Sequence, residues 1–175
     1  IAVPGIFDRP RVVHLVGAGG VGMSSLGQAL LHSGHRVSGS DASDSDRTRR
    51  LRRLGATIAI GHAAENVPVD VDLFVVTAAI DPKNPETAVA LARGVEIVKY
   101  AKALGELMAR ENGICIAGCH GKTTTTGLMT QVLVGAGQRS VAVAVAPALP
   151  RDLPDPETIR IEVRGPDGNV FFSRE

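Results

Sequence analysis

Apolar residues along this chain fall into short blocks of two kinds, and the two kinds take turns. Arg11 to Val16, Arg36 to Ser40, Thr57 to Ile60, Asp72 to Thr77, Glu96 to Lys99 and Ile114 to Ala117 read as strands. Leu73-Phe74-Val75-Val76 is apolar without interruption, the pattern of a strand buried on both faces. Met23 to Ser33, Arg47 to Leu54, Pro85 to Arg93, Ala101 to Arg110 and Thr124 to Gly137 have helical spacing instead. Pro85 suits a helix start, and Gly55 and Gly94 are natural stops. Five βα repeats are therefore expected before Ile114. The predicted class is α/β: a Rossmann-like, doubly wound parallel sheet with helices on both faces and right-handed crossovers.

Beyond Gly137 the alternation stops. Ser140 to Ala146 fits one more strand, and Pro147, Pro150, Pro154 and Pro156 make a stiff linker over 147–156. Ile159 to Val163 then alternates with period two, Pro166-Asp167-Gly168-Asn169 is a strong turn signal, and Val170-Phe171-Phe172 follows. A β-hairpin over 159–172 is expected, polar on one face and in need of a sheet to rest on.

Composition narrows the class. Apolar residues make up 44% of the 175 positions and charged residues 21%, so the chain is globular in composition, not disordered. Aromatics are only 3%, which leaves Ala, Val, Leu and Ile to build the core. A net charge of +1 gives no reason to expect nucleic acid or a membrane surface as partner. No apolar run approaches the ~18 residues of a membrane span, so no membrane insertion is expected. Cys115 and Cys119 lack a second pair for a zinc site, and a reduced, cytoplasmic setting is the simplest reading. The chain begins with Ile1 in place of Met and so reads as a piece of something longer.

Two glycine turns carry the candidate chemistry. The first, Gly17-Ala18-Gly19-Gly20-Val21-Gly22, follows a strand and opens a helix, the context that makes G-x-G-x-x-G informative. Gly17 would allow the tight turn, Gly19 the approach of a pyrophosphate, and Gly22 close packing of helix on strand. Asp41, about twenty residues on, suits a ribose hydroxyl, or else it caps the helix that follows. Five arginines between Arg47 and Arg53 raise phosphate or nucleic-acid binding; the favoured reading is a solvated helix face with Leu51 and Leu54 pointing inward. The second turn, Gly118-Cys119-His120-Gly121-Lys122-Thr123-Thr124, lies between an apolar strand and a helix, as a phosphate loop does. Its spacing, G-x-x-G-K-T, is shorter than the common P-loop, with Lys122 as a cation for phosphate and Thr123 as a hydroxyl for magnesium.

With both turns in place, the chain resembles the Mur ligases of peptidoglycan synthesis over roughly residues 11 to 137. The likeness is carried by Gly17 to Ser24, Gly39-Ser40-Asp41, Leu54-Gly55-Ala56, Gly61 to Asn66, Thr77 to Ile80, Asn84-Pro85-Glu86, Leu104 to Met108 and Ala117 to Thr126 taken together. The resemblance implies that residues 1–111 form a Rossmann-like domain that holds a UDP-sugar in place of a dinucleotide. Gly17, Gly19, Gly20, Val21, Gly22 and Met23 would cradle the diphosphate. Ser40 and Asp41 would flank the nucleotide, and Thr77, Ala79 and Ile80 would line the same crevice. His62 has a weaker case, because a surface histidine that caps a turn explains it as well.

Residues 112–175 would then be a truncated or divergent Mur-type central ATPase domain, an incomplete P-loop unit. The resemblance implies ATP and Mg2+ as cofactors, with Gly118, His120, Gly121, Lys122, Thr123 and Thr124 on the ATP phosphates, Lys122 and Thr123 in the catalytic role, and Thr123 toward the metal. It implies UDP-N-acetylmuramic acid and L-alanine as substrates: the muramoyl carboxylate is phosphorylated, and the alanine amine displaces phosphate. Cys119 stands where the family usually has Thr, and a thiol is the poorer hydrogen-bond donor. No histidine follows His120, and the acids after Gly137 match no family motif, so this chain alone is expected to be incomplete for catalysis. A relative that recycles a whole UDP-N-acetylmuramoyl tripeptide is one alternative. It usually has Cys before the second glycine of the first turn and lacks Gly-Val-Gly-Met. A non-catalytic dinucleotide- or UDP-sugar-binding module is the alternative of another class.

Overall fold

The computed structural model describes residues 5–77, 83–110, 114–117, 121–135, 142–144, 160–164 and 170–174. The chain divides into two compact units, Ile1–Glu106 and Leu107–Glu175.

The first unit is built on five parallel strands: β1 (Val12–Val16), β2 (Arg36–Asp41), β3 (Thr57–Ile60), β4 (Leu73–Val76) and β5 (Glu96–Lys99). Their order across the sheet is β3-β2-β1-β4-β5. β1 is central, pairing Val16 with Ser40 of β2 on one side and Leu15 with Val75 of β4 on the other. The chain leaves β1 toward β2 and β3, then returns to its opposite side, so strand order reverses between β1 and β4. Such a reversal opens a crevice at the C-terminal ends of the strands.

Burial explains the strands. Val13, Leu15, Leu73, Phe74 and Val75 are fully buried, as an uninterrupted apolar pattern requires. Helix α1 (Val21–His32) buries Met23, Leu26 and Leu30, and helix α2 (Asp46–Arg53) buries Leu51. Each such side chain contributes about 1.5–3 kcal/mol. Ser45 begins α2 with a reciprocal cap, in which its side chain accepts from the Thr48 N–H while the Thr48 hydroxyl accepts from the Ser45 N–H. Helix α3 (Pro85–Ala92) starts on Asn84, whose side chain accepts from the Glu86 N–H, with Pro85 in the first helical position. Helix α4 (Tyr100–Arg110) follows β5 directly.

Two expectations are corrected. β3 and β4 are joined by a single 3-10 turn, Ala64–Asn66, so the four helices expected before Ile114 form but the five βα repeats reduce to four. Leu54 does not point inward: it is the C-cap of α2 and 39% exposed, because the helix ends one residue too early to carry it onto the buried face.

The second unit contains β6 (Ile114–Ala117), helix α5 (Lys122–Gly135), β7 (Ala142–Ala144), β8 (Arg160–Arg164) and β9 (Val170–Arg174). Its sheet has the order β7-β6-β8-β9. β7 runs parallel to β6, as a βαβ crossover through α5 requires. The expected hairpin is formed by β8 and β9, and it finds its sheet by pairing antiparallel with β6, Val163 opposite Ile114 and Ile161 opposite Ile116. The proline-rich stretch 147–156 lies outside the described residues.

Candidate nucleotide site

The first glycine turn sits where the strand order reverses. Gly17 has φ +75, a conformation that side chains rarely adopt, and Thr77 beyond the end of β4 lies beside it. The turn's first donors are satisfied internally. The N–H groups of Gly17 and Ala18 both donate to the Ser40 carbonyl, at 2.9 and 2.8 Å, and Gly20 donates to the Gly17 carbonyl at 3.0 Å. Gly19 donates to the Asp41 carboxylate at 2.7 Å. Asp41 therefore does not cap α2, which is the work of Ser45; it holds the turn against the end of β2.

What remains is the N-terminus of α1. Gly20 is its N-cap and offers no side-chain cap, and the first backbone bond of the helix is Ser24 N–H to the Gly20 carbonyl. The N–H groups of Val21, Gly22 and Met23 have no acceptor among the described residues. Three donors at the positive end of a twelve-residue helix are suited to an anion.

Gly22 serves a different contact from the one expected. A Cβ there would stand 2.7 Å from the Tyr100 hydroxyl oxygen, so Tyr100, at the start of α4, fills the space over Gly22. The close approach of α1 to the sheet occurs at Gly27, where a Cβ would meet Leu15 at 2.9 Å.

Ser40 is fully buried. Its hydroxyl donates to Glu86 Oε2 at 2.5 Å. Because that hydroxyl has one proton, its 2.9 Å contact with His62 Nδ1 requires the histidine to donate. His62 thus carries its proton on Nδ1. Glu86 is itself fully buried, and its second oxygen accepts from the Asn66 side chain at 2.7 Å and the Ala63 N–H at 3.3 Å. The buried His14 ring, stacked on Phe74, places Nε2 3.7 Å from Glu86. Burial pushes the Glu86 pKa up, but His14, the Ser40 hydroxyl and the Asn66 amide together outweigh it and hold the carboxyl at about 2. This network fixes Ser40, whose carbonyl anchors the glycine turn. In the sequence Glu86 stood out as part of the Asn84-Pro85-Glu86 stretch and as an acidic residue in a first helical turn, but neither signal shows its buried bonds.

In the second unit, Gly121 has φ +74 and its carbonyl accepts the Thr125 N–H at 2.9 Å, the first backbone bond of α5. Lys122, Thr123 and Thr124 open that helix. Gly118, Cys119 and His120, and likewise Ala79 and Ile80, lie outside the described residues. Among the described residues no three His, Cys, Asp or Glu side chains gather as a metal site, and no helix is long and apolar enough to cross a membrane.

A five-stranded parallel sheet of order β3-β2-β1-β4-β5, with a glycine turn leading from its central strand into a helix, defines a Rossmann-like α/β fold. Comparison with known proteins narrows the class: the family model described as "Mur ligase family, catalytic domain" matches residues 12–112. The chain belongs to that family. It is 50% identical over 132 residues to a UDP-N-acetylmuramate–L-alanine ligase of Trichlorobacter lovleyi, covering 75% of this chain and 29% of that protein. A ligase of the same name from Solidesulfovibrio magneticus is 47% identical over 130 residues, covering 74% of this chain and 28% of that one.

Among solved structures, the UDP-N-acetylmuramate–alanine ligase of Thermotoga maritima superposes with a TM-score of 0.68 at 32% identity, over 73% of this chain and 30% of that one. A murein peptide ligase of Psychrobacter arcticus gives 0.67 at 31%, over 73% and 27%. The chain thus spans less than a third of the length of the curated relatives it matches.

Proposed function

We propose that the first unit binds the UDP part of a UDP-sugar and that β6, Gly121 and α5 begin the ATP site of a ligase joining L-alanine to UDP-N-acetylmuramic acid. The observation that carries the reading is the set of uncapped N–H groups at Val21, Gly22 and Met23 beside the strand-order reversal. A diphosphate supplies the oxygens those donors lack. Asp41, at the end of β2, keeps the turn in shape through one carboxylate oxygen, while the other accepts from the Ser43 N–H at 3.1 Å; in this reading it would flank the nucleotide from there.

The residues of the second turn fit a nucleotide triphosphate: a glycine in the left-handed region, then a lysine and threonines at a helix start. Bound ATP with Mg2+ would supply the phosphoryl group that activates the muramoyl carboxylate. Lys122 would neutralise phosphate charge, Thr123 would offer its hydroxyl toward the metal, and Gly121 and Thr124 would complete the cradle, with Gly118 and His120 on the loop before it. Such catalysis rests on positioning and charge neutralisation. With UDP-linked and ATP substrates, the reaction would belong to the cytoplasm.

The purified chain should bind UDP-N-acetylmuramic acid in calorimetry, more tightly than NAD, and release no phosphate in response to L-alanine. Tighter binding of NAD would favour the dinucleotide module. Robust turnover by this chain would overturn the view that catalysis needs the further length its relatives have.

A further inference from the structure

Arg47 stands apart from the other arginines of α2. Arg49 is paired with Asp44 at 2.6 Å and Asp46 at 2.8 Å. Arg52 is paired with Asp44 at 3.0 Å and donates from Nε to the Ile58 carbonyl at 2.9 Å. Both belong to the solvated, self-neutralised face that the sequence suggests. Arg47, on the first turn of α2, instead reaches back to the glycine turn, where its Nε donates to the Gly19 carbonyl. With the Gly19 N–H held by Asp41, the peptide groups on both sides of the Gly19 Cα are tied. The two terminal nitrogens of the Arg47 guanidinium have no acceptor among the described residues, and the side chain is exposed.

Charge at the turn makes this arrangement informative. Neither Gly17–Gly22 nor α1 contains a lysine or arginine. The nearest ionised group bonded to the turn, apart from Arg47, is the Asp41 carboxylate, which repels an incoming anion. Backbone donors and the helix dipole amount to about half a unit charge, whereas a diphosphate brings two or more negative charges. A cation at the rim is what the turn lacks. A guanidinium anchored through Nε presents its remaining N–H groups as a planar fork, a shape that matches a pair of phosphate oxygens.

We propose that Arg47 is a diphosphate-binding residue of the first glycine turn, engaging the phosphates of a nucleoside diphosphate alongside the N–H groups of Val21, Gly22 and Met23. The inference rests on the reading of that turn as a UDP site and adds to it a charge contact from a different helix.

The test is calorimetric titration of the full chain with UDP and with uridine, for wild type, Arg47→Ala, Arg47→Gln, and Arg50→Ala as an exposed control on the same helix. Arg47→Ala is expected to weaken UDP about tenfold, to leave uridine unchanged and to flatten the salt dependence of UDP binding. Arg50→Ala should bind as wild type does. Arg47→Gln keeps a donor for the Gly19 carbonyl while removing the charge; it should lose UDP affinity to the same degree, and it is the variant read if Arg47→Ala fails to fold. Wild-type UDP affinity in Arg47→Gln overturns the role of Arg47 and leaves the UDP reading standing. A folded wild-type chain that binds no UDP overturns both.

Discussion

The chain contains two strand–turn–helix units that read alike in sequence and differ in what surrounds them. β1 lies at the centre of five parallel strands, and α1 behind its turn buries Met23, Leu26 and Leu30. β6 has one parallel neighbour and one antiparallel neighbour, and α5 leaves Leu128 65% and Val132 66% exposed. Both turns use a glycine with positive φ to pass from strand to helix. The turn is thus a local property, settled by a few residues whose backbone preferences agree. The depth to which the helix is buried is not local, because it depends on the later strands and helices that come round to cover it.

The largest effect that separates the two units is a core truncation. Leu30→Ala in α1 should cost about 2–5 kcal/mol in urea unfolding, while Leu128→Ala in α5 should stay within about 0.5 kcal/mol. Equal costs would mean that α5 is packed as α1 is, and the contrast would fail.

Next comes Glu86→Gln, which removes a buried charge of the first unit. The folded-state pKa is lowered from 4.5 to about 2, so Glu86 stabilises the fold above pH 4.5, and that contribution is lost as pH falls toward 2. The variant should be less stable than wild type by on the order of 3 kcal/mol at pH 7, with the gap closing toward pH 2. A gap that is constant from pH 7 to pH 2.5 would show that packing, not ionisation, explains the residue.

A smaller effect is expected at Gly17. Alanine there should cost about 1–2 kcal/mol, because its φ of +75 is strained for any residue with a Cβ. UDP affinity should fall with it. A Gly17→Ala chain with unchanged melting temperature and UDP affinity would show that the turn relaxes without loss.

The sheet was legible because its strands are short and apolar and its helix boundaries carry glycine and proline. The hairpin after the proline-rich stretch was legible from alternation and a strong turn, although its partner, β6, was not, since pairing between distant strands leaves no mark on either. Leu54 misled because helical spacing continues for one residue past the point where α2 stops. The connection from β3 to β4 was counted as a full repeat, yet Ala64–Asn66 makes one 3-10 turn. At the site, glycine spacing and Asp41 were readable as a motif, but not the bond from Asp41 to Gly19, which depends on the register of β1 against β2. Ser40 read as a residue near the nucleotide because it lies close to a strand end at the crevice; the bond of its hydroxyl to Glu86, 46 residues later in the chain, left no mark in the sequence. Arg47 was indistinguishable from its neighbours by type alone.

The central claim is that the helix N-terminus after β1 receives a diphosphate. Amide NMR of the chain during titration with UDP tests it most directly. The account predicts that the largest shifts fall on Val21, Gly22 and Met23, with Gly34, at the far end of α1, unmoved. Shifts that spare those three amides while UDP binds, or that appear there with NAD and not with UDP, would contradict it.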